Sequence, residues 1–309
     1  MAAEERPRGT DRPGAPGDGP GDGGGAGGEA SLAGLHASPW GALGRTAVLA
    51  TVAWGGKMTL DVLNRTRVHN RSRLVAAALA RPPGQGLLTV SNHASTLDDP
   101  FLFTHLMPWA FYLTEHQHGR TRWALCAKDV CFKHDLLAQF FLSGKTLPVV
   151  RGGGIGQEIM QVAAERLGSG DWLHVFPEGG IPTHFEGRTM EGTRLGRMRW
   201  GAAKLICDNA DRPPVVLPFF HRGMEAVQPK GSVFPKPGHG VTMTVGEPLE
   251  LADLLHACKR TAGKKGEEGR KEQEGVYIQI MDRIEASLRG LEPQCNADFA
   301  RDWGRSPPP

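Results

Sequence analysis

The sequence predicts an α/β domain with a central, largely parallel sheet flanked by helices. Three observations predict it. From Gly86 onward, strand-like runs alternate with helical patterns, the order produced when helices cross over between parallel strands. One run, "PVVLPFF", is apolar on both faces, as a central strand covered by two layers must be. Hydrophobic residues make up 39% of the 309, enough for a sizeable core.

Residues 1–30 carry ten glycines, four prolines and almost no large apolar side chain. Such a stretch buries too little surface to offset the entropy of ordering it, so it reads as a disordered tail. Its six acidic residues argue against a transit peptide. Residues 31–75 read as a helical segment at a membrane interface. Its most apolar piece, the eleven residues 46–56, is bounded by Arg45 and Lys57. A helix of that length reaches about 16 Å against roughly 30 Å of hydrocarbon, so it lies on a bilayer without crossing it. Trp40 and Trp54, near its ends, suit the headgroup region. The plainer alternative is a helix packed on the domain.

Residues 76–258 hold the α/β domain, with strands "LLTVS", "RWALCA", "TLPVV", "WLHVF", "PVVLPFF" and "VTMTVG". A helix starts at Pro100 with Asp99 as its N-cap. A second puts Ile159, Val162, Ala163 and Leu167 on one side and ends at Gly168. A third, "TRLGRMRWGAAKLICDNA", repeats Leu195, Met198, Ala202, Leu205 and Ile206 at helical spacing. Residues 177–192 form a long loop, a length often tied to function. Residues 259–275, charged and broken by glycine, read as a linker. Residues 276–309 read as a C-terminal helix and tail, with Ile280, Ile284 and Leu288 on one face.

Net charge is only +3, and no basic stripe is interleaved with aromatics, so nucleic acid is not an expected partner. The five cysteines lack C-x-x-C spacing and read as thiols, neither a disulfide framework nor a zinc site. The histidines form no metal-ligand pattern, and no metal is expected.

Four stretches carry chemistry. "SNHASTLDDP" follows an apolar strand and sets His93 five positions before Asp98. The two cannot share a helix face, but a turn through "ASTL" brings them together. Asp98 then fixes one imidazole nitrogen and leaves the other as a base, an effect of roughly 10²–10⁴-fold in rate. No G-x-S-x-G elbow is present, and Ser95 and Thr96 read as turn and cap hydroxyls, so the base activates a substrate directly. "GKTLPVVRGGG" ends a strand at Arg151, placed to hold a phosphate beside glycine backbone. "WLHVFPEGG" ends a strand in a turn where Glu178 is free to meet a substrate hydroxyl or the arginine, and Gly179 lets backbone approach a ligand. "PPVVLPFFHRGM" leads to His221 and Gly223, with Pro218 marking a bulge or strand end. Residues 101–113, "FLFTHLMPWAFYL", line an acyl path or insert at the membrane interface, or else form a core helix broken at Pro108.

Taken in order, these stretches resemble the glycerolipid acyltransferase superfamily, whose members show N-H-x-x-x-x-D, a Gly-to-Arg strand, F-P-E-G and an apolar strand ending in proline. "VHNR", "NHASTLDDP", "CFKHDLLAQFF", "HVFPEG" and "LPFFHRGM" are similar to the branch that transfers acyl chains from phospholipids to lysophospholipids. The resemblance covers about residues 38–254. It implies His93 and Asp98 as the catalytic pair, with Arg151, Glu178 and Gly179 at the substrate. It implies CoA-independent transfer, nearly thermoneutral and needing no cofactor. It also implies remodelling of phospholipids, cardiolipin among them, by a monotopic protein on mitochondrial membranes facing the intermembrane space. The endoplasmic reticulum and plasma membrane are the alternative sites. Acylation of the amine of phosphatidylethanolamine, and transfer from acyl-CoA, keep the same residues, and a lipid-binding scaffold with a decayed site is the non-enzymatic alternative.

Overall fold

The computed structural model describes residues 37–114, 119–184 and 187–304. The 1–30 tail lies outside them. The chain opens with α1 (Gly41–Lys57), β1 (Arg65–His69), α2 (Arg71–Leu79), β2 (Leu87–Ser91), α3 (Asp98–Leu106) and α4 (Phe111–Thr114). It continues through β3 (Trp123–Ala127), α5 (Lys128–Cys131), α6 (Asp135–Ser143), β4 (Thr146–Val149), α7 (Glu158–Gly168) and β5 (Trp172–Val175). Then come α8 (Gly201–Asp208), β6 (Val215–Arg222), α9 (Met224–Val227), β7 (Gly240–Val245), α10 (Ala252–Thr261) and α11 (Gly266–Trp303).

The seven strands form one sheet in the order β1-β7-β6-β2-β5-β3-β4. The ladders are parallel except β6–β7, so β1 and β7 run against the other five. Successive residues of a strand face opposite sides. Thus Leu87 joins a core with Leu49, Leu74 and Phe103, while Leu88 and Val90 join another with Val162, Leu205 and Ile284. Every residue of β2 and β5 is buried, as expected of central strands covered on both faces. Pro218 does not end its strand. The antiparallel ladder with β7 begins one residue later, at Phe219↔Val245, while the Pro218 carbonyl accepts Gly246 N–H at 2.9 Å.

Four expectations need correction. Part of the 31–75 segment is the strand β1, paired in parallel with β7; "RTRVH" holds one large aliphatic residue, because an edge strand packs little. The third domain helix begins at Gly201, not Thr193, since Gly196 bridges to Thr189 and Arg199 N–H donates to the Pro177 carbonyl, which fold this stretch onto the loop before it. Residues 266–275 are not linker but the first turns of α11, held on an exposed face by Lys271–Glu267 at 2.7 Å and Arg270–Glu274 at 3.6 Å. Four of the five cysteines are paired, Cys126 with Cys131 and Cys207 with Cys258. The second pair is 51 residues apart, a juxtaposition only the tertiary fold creates.

The segment 101–113 packs largely as core, with Leu102, Phe103, Leu106, Phe111 and Tyr112 buried. One side of α1 packs on α3, and Leu43 and Trp54 point outward. Among the described residues no helix is long and apolar enough to cross a membrane.

Candidate active site

β2, β5 and β6 end side by side at the carboxyl edge of the sheet. The chain leaves β2 toward β3, whereas β6 lies on its other side, which makes this edge a topological switch point, the place where α/β sheets ordinarily bind ligands. Just past β2, Asn92 extends the ladder with its side chain. Its Nδ2 donates to the His221 carbonyl at 3.0 Å, and its Oδ1 accepts His221 N–H at 2.9 Å. His221 Nε2 lies 3.0 Å from the Asn92 carbonyl, which closes the link.

The "ASTL" turn then folds back. Asp98 N–H donates to the Ser95 carbonyl at 3.1 Å, and Leu97 N–H donates to Ser95 Oγ at 3.2 Å. Ser95 is a turn hydroxyl. Asp98 Oδ2 accepts from Ala94 N–H at 2.7 Å and Ser95 N–H at 2.8 Å, and lies 2.9 Å from His93 Nδ1. His221 Nε2 approaches the same oxygen at 3.5 Å. Burial alone would push the Asp98 carboxyl up. The neighbouring His221 and His93 and the Ser95 N–H outweigh it and hold the pKa below the ordinary value. An ionised Asp98 accepts a hydrogen bond from Nδ1–H and so leaves the lone pair on Nε2. The His93 ring stacks on Phe176 with centroids 3.8 Å apart and planes 9° apart, and its side chain is 18% exposed. An imidazole held in this way can accept a proton at Nε2 from a group that approaches this edge.

Asp99 has the extended backbone of an N-cap, φ −111°, ψ 121°, the conformation also favoured before proline, but its carboxylate turns to a buried ion pair with Arg122 and does not cap the helix. Glu178 also differs from expectation. It is buried and turned inward: one oxygen accepts His93 N–H at 2.8 Å, the other Gly196 N–H at 2.5 Å. Burial pushes this carboxyl up to about 8, although both backbone donors favour its charged form. Glu178 therefore braces the backbone behind His93 and ties Gly196 to the site. Gly196 must be glycine for this approach, because a Cβ there would lie 2.6 Å from Pro182 Cγ and 3.1 Å from Glu178 Oε2.

Gly179 has φ +67°, and a Cβ there would meet Arg199 Cδ at 2.8 Å and Nε at 3.0 Å. Arg199 thus lies against the turn that follows β5, a cation the sequence reading missed by assigning it to a helix. Arg151 sits at the same sheet edge but beyond β4, three strands from β2. Strand spacings of about 4.8 Å put those strand ends roughly 14 Å apart. Its exposed side chain pairs with Asp129 at 3.0 Å. The structure joins His93, Asp98 and Glu178 directly, sets Gly179 beside Arg199, and leaves Arg151 outside that network. Among the described residues no cluster of three or more metal-ligating side chains exists.

Residues 65–221 match the family model described as Acyltransferase. The chain is 37% identical over 279 residues to an N-acylphosphatidylethanolamine synthase of Arabidopsis thaliana, covering 81% of this chain and 93% of that one. It is 36% identical over 214 residues to tafazzin of Drosophila melanogaster, covering 69% of this chain and 53% of that one. A solved 1-acyl-sn-glycerophosphate acyltransferase, PlsC of Thermotoga maritima, aligns with a TM-score of 0.43 and 19% identity over 78% of this chain and 81% of that one.

Proposed function

The chain belongs to the acyltransferase family, and from that premise we propose that it transfers an acyl chain from a phospholipid to a lysophospholipid without coenzyme A. His93 Nε2 takes the proton of the acceptor hydroxyl. The acceptor oxygen attacks the ester carbonyl of the donor, and a tetrahedral intermediate forms. Its collapse expels the donor's glycerol oxygen, which receives the proton back from His93. One ester bond forms and one breaks, so no external energy source enters the cycle. Asp98 holds His93 in the required tautomer and balances the transient imidazolium. Arg199 beside Gly179 is the nearer phosphate grip, and Arg151 meets a second headgroup farther along the edge. The carrying observation is the Asp98–His93 pair, one member buried and the other partly open, at the centre of the sheet edge. The likeness to tafazzin supports this reading, which we extend to cardiolipin remodelling at a mitochondrial membrane.

A second reading has the same base deprotonating the amine of phosphatidylethanolamine. The Arabidopsis relative favours it, because the match covers 93% of that chain. One assay separates the readings: purified protein with labelled phospholipid and either lysophospholipid or phosphatidylethanolamine, with and without acyl-CoA, products resolved by mass spectrometry. Ester exchange without CoA supports the first reading. Amide product supports the second, and turnover only with acyl-CoA refutes the proposed donor.

A further inference from the structure

We propose that the loop between α9 and β7, residues 228–239, is a membrane-inserting wedge that sets the catalytic edge of the sheet onto an anionic lipid surface. The proposal rests on the reading that the substrates are membrane phospholipids, and it names a surface that reading does not use. The loop follows the carboxyl end of β6, through α9, and enters β7, which runs antiparallel to β6. It therefore lies at the edge that carries His93.

The tip is apolar and points away from the protein. Val233 is 81% exposed and Phe234 78%. Single exposed apolar residues are ordinary, but an adjacent pair at the tip of a pinned loop is not. Pro229, Pro235 and Pro237 limit the backbone. Ser232 N–H donates to the Pro229 carbonyl at 3.0 Å, and Ser232 Oγ donates to the Phe234 carbonyl at 2.8 Å. The stem is fixed by Lys236 N–H to the Val227 carbonyl at 2.7 Å and by His239 N–H to Asn64 Oδ1 at 2.8 Å. Gly238 N–H donates to the Leu63 carbonyl at 2.8 Å, which joins the stem to a second exposed apolar pair, Val62 and Leu63.

Charge identifies the occupant. The loop carries Lys230 and Lys236, both exposed, and no acidic residue. Two apolar side chains flanked by ammonium groups suit acyl chains under anionic headgroups. The wedge also touches the active-site loop, for Lys230 Nζ donates to the His184 carbonyl at 2.7 Å. His184 lies in the loop between Glu178, which holds the His93 backbone, and Gly196.

The test uses the full chain, with vesicles of phosphatidylcholine alone or with phosphatidylglycerol added. The double variant Val233→Asp, Phe234→Asp is expected to partition onto the mixed vesicles more weakly by on the order of tenfold or more. Lys230→Gln with Lys236→Gln should weaken binding only where phosphatidylglycerol is present. A Phe234→Cys variant carrying an environment-sensitive dye should shift to the blue on vesicles and be quenched by lipids labelled high in the acyl chain. A dye that stays in water while the protein floats with vesicles overturns the proposal. So does a blue shift that follows protein concentration without vesicles, which would assign the tip to a second copy of the chain. Binding and emission are read on a His93→Ala background as well, so failure of the transfer reaction and failure of the wedge are seen separately.

Discussion

Asp98 Oδ2 gathers two backbone N–H groups and the His93 ring nitrogen on one atom, so a change at this carboxylate alters orientation and charge together. Asp98→Asn keeps the shape but loses the ionised acceptor that selects the Nδ1–H tautomer. Acyl transfer is expected to fall by roughly 10²–10⁴-fold, as for His93→Ala, with the circular dichroism spectrum and vesicle binding unchanged. Turnover near that of the parent by either variant would end the base assignment. Glu178 leads to a different prediction because its shift has the opposite sign. Burial raises its pKa from 4.5 to about 8, so between those values the folded protein keeps a proton that the unfolded chain has lost. Its contribution to stability is full below about 4.5 and disappears as pH rises through about 8. The urea midpoint should decline across that window, and Glu178→Gln should flatten the decline. A variant whose midpoint keeps the parent's slope would assign the pH dependence to another group. Asp98 acts in reverse: its lowered pKa adds stability above the ordinary carboxylate range that is lost as pH falls through the folded value.

At the scale of elements, the Cys207–Cys258 bridge ties α8 to α10 behind the core that covers one face of the sheet. Closing a loop between residues 51 apart is worth about 2–4 kcal/mol through the unfolded chain. Cys207→Ser with Cys258→Ser, or reduction by dithiothreitol, should therefore lower Tm by several degrees while the sheet persists. An unchanged Tm in both experiments would mean that the bridge does not form in solution. This bridge also marks where the sequence stops being legible. Central strands announce themselves because both faces are buried, so "LLTVS" and "PVVLPFF" appear as apolar runs of strand length. The His93–Asp98 turn was legible for a local reason, since its donors and acceptor lie within six residues. β1 was not, because an edge strand with burial on few side chains has no such run. Nor was the start of α11, whose exposed charges hold it by neighbour pairs rather than by an apolar face. Glu178 was misread for a third reason: its partners, His93 and Gly196, lie 85 and 18 residues away. Arg199 was hidden by a helical repeat that the tie to Glu178 overrides.

At the scale of the whole molecule, two of the apolar features that face outward among the described residues bear on membrane attachment, and no described helix is long and apolar enough to span a bilayer. One is α1, with Leu43 86% exposed and Trp54 outward, anchored to α6 by Trp40 Nε1–H to Gln139 Oε1 at 2.7 Å. The other is the tip at Val233 and Phe234. Where both are carried on one folded body and reach the same surface, their free energies of insertion add, so their partition factors multiply. Leu43→Asp with Trp54→Asp should reduce flotation with vesicles, and the Val233→Asp, Phe234→Asp pair should reduce it separately. All four substitutions together should lose the product of the two factors. A combined loss no greater than the larger single loss would mean that the two features never meet the membrane at once. The attachment proposed here is interfacial, so binding should also be reversible. Alkaline carbonate should release the full chain from membranes that retain proteins with spanning helices, and retention through that wash would contradict a purely interfacial attachment.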